Sequence, residues 1–226
     1  MYKRYVKRPL DIVCALSAII VFSWLYVILI ILGAVFMRGN PFFTQIRPGK
    51  DEKLFKLIKF RTMDNRKDKN GNLLPDEVRL NKYGRMLRKT SLDELPEAFN
   101  ILFGDMSVVG PRPQLVRDMV FMSPEQRKRH TVRPGLSGLA QVNGRNGISW
   151  DNKLNFDLKY IENITFCGDV KIVLSTVVKA FVKQEDISQE GFDTAEDYGD
   201  WLVHEGRVDT VTYESKQKEA KELLML

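Results

Sequence analysis

An uncharged apolar run from Ile12 to Met37 constrains this chain more than any other feature. The run is 26 residues long, and a helix needs about 20 apolar residues to cross the hydrocarbon core of a bilayer. A secretory signal has an apolar region of only about 7–15 residues. Soluble core helices of this length normally show a polar face. The run therefore predicts a helix inserted into a membrane.

Basic residues flank this run on both sides and bear on its topology. Lys and Arg favour the cytoplasmic side of a membrane. A single span would carry one basic flank across, whereas a re-entrant hairpin would keep both on the cytoplasmic face, and the flanks leave both topologies open. A bend near the middle would rest on Ser23, because Trp24 follows it in place of the proline that commonly kinks helices. The flanking residues are Lys3, Arg4, Lys7 and Arg8 before the run, and Arg38, Arg47, Lys50, Lys53 and Lys56 after it.

Charge is divided unevenly along the 226 residues, whose net charge is +6. Residues 1–90 carry 19 Lys and Arg against 7 Asp and Glu, and residues 91–226 carry 16 against 22. The basic first part predicts an anionic partner such as lipid headgroups or phosphates. Cys14 and Cys167 are the only cysteines, so a disulfide framework or a zinc site is not expected. No recognisable nucleic-acid-binding module is present.

The remaining pattern predicts a mixed α/β domain rich in helix. Phe42–Gln45 and Lys53–Phe60 are predicted strands around a turn at Pro48-Gly49, although the second could also be a surface helix. Val78–Lys89 is predicted to be a short helix interrupted by Gly84, lying either on the membrane surface or on its own domain. Further helices are expected over residues 156–161 and 170–182. From residue 184 the chain is acidic, and this tail could bind a partner, form a dimer contact or be disordered.

Two adjacent carboxylates, Asp93 and Glu94, are the first candidates for chemistry. Ser91 and Glu94 form a capping-box pattern, which places both acids in the first turn of a helix. Neighbours in a helix face different directions, so the two would have different roles. Mg²⁺ is bound by one or two carboxylates together with substrate phosphates. Acidic residues in a first turn are also common because of the helix dipole alone.

Arginines in stiffened loops are candidates for binding phosphate. Arg112 lies between two prolines, Arg133 precedes Pro-Gly, and Arg145 follows a glycine. A guanidinium pairs with phosphate oxygens through two hydrogen bonds. Lys59 and Arg61 could join them. Each residue alone fits a surface role as well, so the case rests on the set.

Taken together, these segments resemble the bacterial sugar transferases, specifically the monotopic phosphoglycosyl transferases. The order and spacing match from the N-terminus to about Gly191, and seven motifs in order are far more specific than any one. The matching motifs are Phe43-Thr44-Gln45-x-Arg47-Pro48-Gly49, Lys59-Phe60-Arg61-Thr62-Met63, Leu92-Asp93-Glu94-Leu95-Pro96, Gly104-Asp105-Met106-Ser107, Val109-Gly110-Pro111-Arg112-Pro113, Val132-Arg133-Pro134-Gly135 and Gln141-Val142-Asn143-Gly144-Arg145.

The resemblance implies an activity. Members of this family transfer a sugar 1-phosphate from a UDP-sugar to polyprenol phosphate, usually undecaprenol phosphate, and release UMP with Mg²⁺ as cofactor. It implies that Asp93 is the nucleophile, forming a covalent phosphosugar intermediate, and that Glu94 is catalytic and holds the metal. The candidate substrate-binding residues are Lys59, Arg61, Arg88, Arg112, Arg133, Gln141, Arg145 and Asp157. Rival hypotheses are a membrane-bound nucleotide-sugar hydrolase and a non-catalytic adaptor that binds anionic lipid.

The resemblance also implies an architecture and a location. We expect a re-entrant membrane helix over residues 1–40, a small α/β catalytic domain over 41–191 with interfacial amphipathic helices, and an acidic C-terminal extension over 192–226. The catalytic domain would lie on the cytoplasmic face of the bacterial inner membrane, in contact with membrane lipids, and a homodimer is possible. Trp24 departs from the Ser-Pro pair at which the family's membrane helix usually breaks.

Overall fold

The computed structural model describes residues 1–144, 147–179 and 196–225. It confirms a helix-rich α/β fold. The strands are β1 (Phe42–Pro48), β2 (Leu54–Phe60), β3 (Ser107–Val109) and β4 (Gly135–Ser137). The helices are α1 (Lys7–Val21), α2 (Ser23–Phe36), α3 (Asp76–Arg79), α4 (Lys82–Thr90), α5 (Glu97–Phe103), α6 (Val116–Met119), α7 (Pro124–Arg127), α8 (Leu139–Val142), α9 (Trp150–Glu162), α10 (Phe166–Val178), α11 (Tyr198–His204) and α12 (Thr210–Met225).

The apolar run folds into a bent pair of helices, α1 and α2. The break falls at Phe22, directly before Ser23, where ψ is 11° and the helix axis turns by 65°. No single helix in the described ranges has the length and apolar character needed to cross a membrane. The pair Tyr2–Val21 and Ser23–Phe36 meets that requirement together, on length and composition.

Helix α1 is attached to the domain by a buried carboxylate. Asp11, which is 5% exposed, accepts hydrogen bonds from the Ser107 hydroxyl at 2.8 and 2.9 Å and from the Val108 amide at 2.9 Å. One turn further on, Ala15 packs into an apolar cluster with Leu57, Ile101 and Met106. The small alanine side chain lets α1 and α5 lie close together.

Helix α2 packs on α4, and this contact accounts for the apolar side of α4. Tyr83 and Leu87 are buried against Tyr26, Leu29 and Phe60. The Tyr83 hydroxyl donates to the Leu29 carbonyl at 3.0 Å. The apolar side of α4 therefore faces the interior of the protein.

The prediction of one helix over Val78–Lys89 is wrong in its boundaries. Helix α3 ends at Arg79, and α4 starts after Asn81, whose side chain caps it by accepting from the Gly84 amide at 2.9 Å. Gly84 does not interrupt the helix. It lies where a Cβ would come within 1.9 Å of the Thr62 carbonyl, so glycine is needed for close packing.

The four strands form two small two-stranded sheets. The predicted hairpin is confirmed: β1 and β2 pair antiparallel from Phe42–Phe60 to Pro48–Leu54. Strands β3 and β4 pair in parallel, with Ser107 opposite Gly135. The stretch before the prolines is therefore not all loop, because Val108 and Val109 belong to strand β3.

The acidic C-terminal extension is helical where the structure describes it. Helix α11 packs on Trp150 and Leu154 of α9, and α12 packs its Ala220 on Val116 and Met119 of α6. Of the three alternatives for this tail, disorder is wrong for residues 196–225, because they form helices with buried apolar contacts.

Candidate active site

The ammonium of Lys59 lies between two carboxylates at the start of α5. It is 2.8 Å from Glu94 Oε1 and 3.1 Å from Glu97 Oε1. Lys59 comes from β2, Glu94 from the 3₁₀ turn Leu92–Glu94, and Glu97 from the first position of α5. Arg112 reaches the same Glu94 oxygen at 3.0 Å from the loop after β3. Three separate segments thus bring four charged groups together.

The capping box predicted at Ser91 does not form. Ser91 has φ 54° and its amide donates to Arg88 and Leu87, so it ends α4 instead of starting the next helix. The chain then makes the turn Leu92–Glu94, and α5 begins at Glu97 after Pro96. Asp93 and Glu94 therefore lie in a tight turn that leads into α5, not in its first turn.

The Glu94 carboxyl is ionised because of its two cations. Burial raises its pKa, but Lys59 and Arg112 lower it more, and the net pKa lies well below the usual range. All hydrogen bonds to this side chain from the described residues go to Oε1. Within the described ranges the other oxygen, Oε2, accepts no hydrogen bond, so among these residues it is available as a ligand position for a further cation.

The carboxyl of Asp93 has a raised pKa. Burial and the neighbouring Glu94 raise its pKa to about 6, against the opposing effect of Lys59, Arg112 and Arg88. The carboxylate form is therefore dominant at pH 7, and a carboxylate of raised basicity attacks an electrophile better than one of ordinary pKa. Arg88 also donates to the Thr62 hydroxyl at 3.1 Å.

Two predicted substrate-binding arginines are engaged elsewhere. Arg61 donates to the Phe42 carbonyl at 3.1 and 3.3 Å, which fixes the start of β1. Arg133 donates to the Gly104 carbonyl at 2.7 Å, at the opposite end of α5 from the carboxylates. The structure thus brings together Lys59, Asp93, Glu94, Arg88 and Arg112, but not these two.

Gln141 contacts the backbone of β4, and Asp157 pairs with the arginine that binds the Arg112 carbonyl. Gln141 lies in α8 and donates to the Leu136 carbonyl at 2.9 Å, and its Oε1 is buried without a hydrogen bond in the described part of the chain. Asp157 is buried and pairs with Arg129 at 2.7 and 2.9 Å. Arg145 falls outside the described residues.

Sequence reasoning missed Glu97, Arg129 and Arg47 as site residues. Glu97 directly follows Pro96 and could have been found as a third acid in the Asp93 motif. Arg47 stands in a family motif, and its Nη1 donates to the Pro113 carbonyl at 3.1 Å. Arg129 has no signal in the sequence that separates it from its basic neighbours.

The donors at this site suit Mg²⁺ only in combination with a substrate. Among the residues that the structure describes, no group of three or more His, Cys, Asp or Glu side chains could hold a metal. Mg²⁺ commonly binds through one or two carboxylates plus substrate phosphates, keeping several waters. Glu94, whose Oε2 accepts no hydrogen bond from the described residues, and the adjacent Asp93 fit that pattern.

Comparison with known proteins agrees with this geometry. The model of the family described as bacterial sugar transferase matches residues 2–183, and the chain belongs to this family. It is therefore an enzyme of the transferase class.

Several relatives align with most of this chain, and the name of one of them specifies a reaction. A Bacillus subtilis protein named uncharacterized sugar transferase EpsL is 48% identical over 84% of this chain and 94% of its own length. The UDP-glucose:undecaprenyl-phosphate glucose-1-phosphate transferase of Klebsiella pneumoniae is 38% identical over 79% of this chain. The exopolysaccharide production protein ExoY of Rhizobium meliloti is 34% identical over 76% of this chain and 83% of its own length. The match covers only 40% of the Klebsiella protein.

Proposed function

We propose that this protein transfers a sugar 1-phosphate from a UDP-sugar to polyprenol phosphate, releasing UMP. The observation that carries the proposal is the charged cluster of Lys59, Glu94, Glu97 and Arg112 at the turn that holds Asp93. Family membership and the name of the Klebsiella pneumoniae relative, a UDP-glucose:undecaprenyl-phosphate glucose-1-phosphate transferase, support the substrate classes. Such a transfer begins glycan or polysaccharide assembly on a lipid carrier.

The reaction would proceed in two displacements at phosphorus. An Asp93 oxygen attacks the sugar-bearing β-phosphorus of the UDP-sugar, and the bond to the bridging oxygen breaks, with its electron pair leaving on UMP. An oxygen of polyprenol phosphate then attacks the same phosphorus and releases the Asp93 carboxylate. The product is a polyprenyl diphosphate sugar. Covalent catalysis of this kind splits one difficult transfer into two easier ones.

The cationic side chains would offset the charge of the diphosphate. Arg112 is 45% exposed at its side chain and can turn towards a substrate, while Lys59 is held between Glu94 and Glu97. Arg112 is placed to bind the oxygens of the diphosphate, and Lys59 to stabilise charge that develops on the reacting phosphate. Mg²⁺, bound by Glu94 and substrate phosphates, would supply further charge neutralisation when present.

We also propose that the bent pair α1–α2 enters and leaves the bacterial inner membrane on its cytoplasmic side. Both ends of the pair contact the same domain: Lys7 is 2.5 Å from Asp169 of α10, and Asn81 donates to the Phe36 carbonyl at 3.1 Å. The pair also carries exposed apolar side chains, including Ile20, Val21, Trp24, Val27, Ile31 and Val35.

Trapping the intermediate tests the nucleophile. Wild-type protein incubated with a radiolabelled UDP-sugar and Mg²⁺, without lipid, should release UMP equal to the enzyme present and retain label that hydroxylamine removes. Asp93→Asn should do neither. Substantial UMP release by Asp93→Asn would rule out the assignment.

Adding and omitting the lipid separates the rivals. Continuous UMP release should require polyprenol phosphate, with the label moving to the lipid. Free sugar phosphate formed without lipid would indicate a hydrolase instead. Full lipid binding with no UMP release by any UDP-sugar of a broad panel would indicate a non-catalytic adaptor.

A further inference from the structure

The main chain around Arg112 is held by two guanidinium groups. Arg129 Nη2 donates to the Arg112 carbonyl at 2.6 Å, and Arg47 Nη1 donates to the Pro113 carbonyl at 3.1 Å. The Arg112 side chain is 45% exposed. This half-exposed side chain is held by its ion pair with Glu94, so the position of its guanidinium depends on how firmly its backbone is fixed.

Two helices frame this stretch of backbone. Helix α9 provides Asp157, which pairs with Arg129 at 2.7 Å with both side chains almost fully buried. Helix α6 follows Arg112 by four residues and provides Asp118, whose Oδ2 accepts from the Leu115 amide at 3.1 Å. A change in the spacing of α6 and α9 would therefore move Arg112.

The C-terminal extension joins these two helices. On α9, the indole of Trp150 donates to the Glu196 carbonyl at 3.1 Å and its ring lies 5.1 Å from that of Tyr198. On α6, Asp118 Oδ1 accepts from the Tyr198 amide at 2.9 Å. Tyr198 thus contacts both helices through one residue.

Further contacts join the C-terminal extension to α6 and α9. Arg117 of α6 forms an ion pair with Asp197, and Leu202 packs with Trp150 and Leu154 in a buried cluster. Helix α12 covers the other side of α6 with Ala220, which is 1% exposed, and Leu223. The family model ends at residue 183, so these contacts come from a part of the chain outside the family match.

We infer that the segment 196–225 is a positioning element that fixes Arg112 for binding the diphosphate of the substrate. This inference rests on the proposed function, since it assigns Arg112 to the UDP-sugar. Loosening the segment should weaken substrate binding and leave the chemistry of Asp93 intact, because within the described residues no residue of the segment contacts Lys59, Glu94 or Glu97. The effect should appear in KM for the UDP-sugar and not in kcat.

Leu202→Ala and the milder Asp197→Asn test this inference in the full-length protein. The first opens a cavity beneath α11, and the second weakens the Arg117–Asp197 pair without changing any apolar contact. Val211→Ala, on a side chain that is 76% exposed in the same segment, is the matched control. Each variant is measured for KM and kcat with a UDP-sugar, and for hydrogen exchange of the amides between residues 112 and 120.

Both test variants should exchange faster over this range and raise KM by at least about threefold, with kcat within twofold of wild type, whereas the control matches wild type. Combined with Arg112→Lys, Leu202→Ala should raise KM by less than the product of the two single effects, because both act through one side chain. Unchanged exchange and KM in both test variants would overturn the inference. Faster exchange in a protein that releases no UMP would overturn the proposed function and leave the mechanical coupling intact.

Discussion

Glu97 shows how one buried acid can organise a charged site. It is 3% exposed, and burial together with Glu94 raises its pKa to about 7. Its oxygen lies 3.1 Å from the Lys59 ammonium. In the proposed reaction, Lys59 would therefore keep Glu97 as a partner when Glu94 binds Mg²⁺ or when a phosphate displaces the ammonium from Glu94.

Replacing Glu97 tests this role. Glu97→Ala should lower kcat/KM for the UDP-sugar by about tenfold or more, since a hydrogen bond to a charged group contributes about 1.5–3 kcal/mol. Glu97→Gln should retain most activity, because an amide oxygen still accepts from Lys59. Steady-state UMP release distinguishes them, and equal losses in the two variants would contradict the role.

His130 makes the stability of the fold depend on pH. Burial, followed by Arg129 and Arg127, lowers the pKa of its imidazole to about 3. The unfolded chain takes up this proton near pH 6.5 and the folded chain does not. The contribution of neutral His130 to stability is thus complete above pH 6.5 and is lost as pH falls towards 3.

Between pH 7 and pH 5 this histidine should cost the folded state about 2 kcal/mol, from 1.36 kcal/mol per pH unit below 6.5. Urea unfolding of wild type and His130→Gln at several pH values measures it. The variant should lose about that much less stability over this range. Parallel curves for the two proteins would show that the histidine titrates normally in the fold.

At the scale of elements, features that depend on local backbone preferences could be predicted from the sequence. Features that depend on contacts between distant elements could not. The hairpin followed from the two predicted strands around Pro48-Gly49. The prediction of a capping box at Ser91 was wrong because Ser91 ends the preceding helix, α4. A motif of two residues carries no information about the helix before it. Glu97 approaches Lys59 only because β2 lies beside α5.

The same limit applied to the candidate site. The adjacent acids and Lys59, Arg88 and Arg112 are together as the motifs indicated. Arg61 and Arg133 instead bind backbone carbonyls, at Phe42 and Gly104. A sequence shows that an arginine sits in a stiff loop, but it does not show which way that loop turns the side chain.

The break between α1 and α2 needs no proline, yet it should accept one. Trp24 is the second residue of α2 and its side chain is 62% exposed. Proline fits the first turn of a helix, where the amide has no partner within that helix. Trp24→Pro should therefore leave both UMP release and thermal stability close to wild type.

Leu29→Pro is the control for this substitution. Leu29 is 2% exposed in the interior of α2, where proline removes a helical hydrogen bond and costs about 3 kcal/mol or more. Thermal unfolding in detergent and UMP release compare the two variants. Equal damage from both substitutions would show that the bend depends on the Trp24 amide.

On the scale of the whole molecule, the two ends of the bent helix pair contact the same domain. The Tyr2 hydroxyl donates to Asp169 at 2.7 Å, and Phe36, at the other end, is stacked on Tyr83 with ring centroids 5.2 Å apart. Asp169 also accepts from Tyr160 at 2.9 Å, which ties the N-terminus to α9 as well as α10. A helix pair that crossed the bilayer could not keep both sets of contacts, because its ends would be separated by the thickness of the hydrocarbon core.

Labelling from one side of the membrane decides between these topologies. In a background with Cys14 and Cys167 replaced by serine, Lys3→Cys and Asn40→Cys place single thiols at exposed positions on either side of the pair. A membrane-impermeant maleimide added to inverted inner-membrane vesicles reaches only the cytoplasmic face, and it should label both variants to the same extent. In intact spheroplasts neither should react until the membrane is opened. Labelling of one position in vesicles and of the other in spheroplasts would mean that the pair spans the bilayer, and the contacts of Tyr2 and Lys7 with Asp169 could not then coexist with those of Phe36.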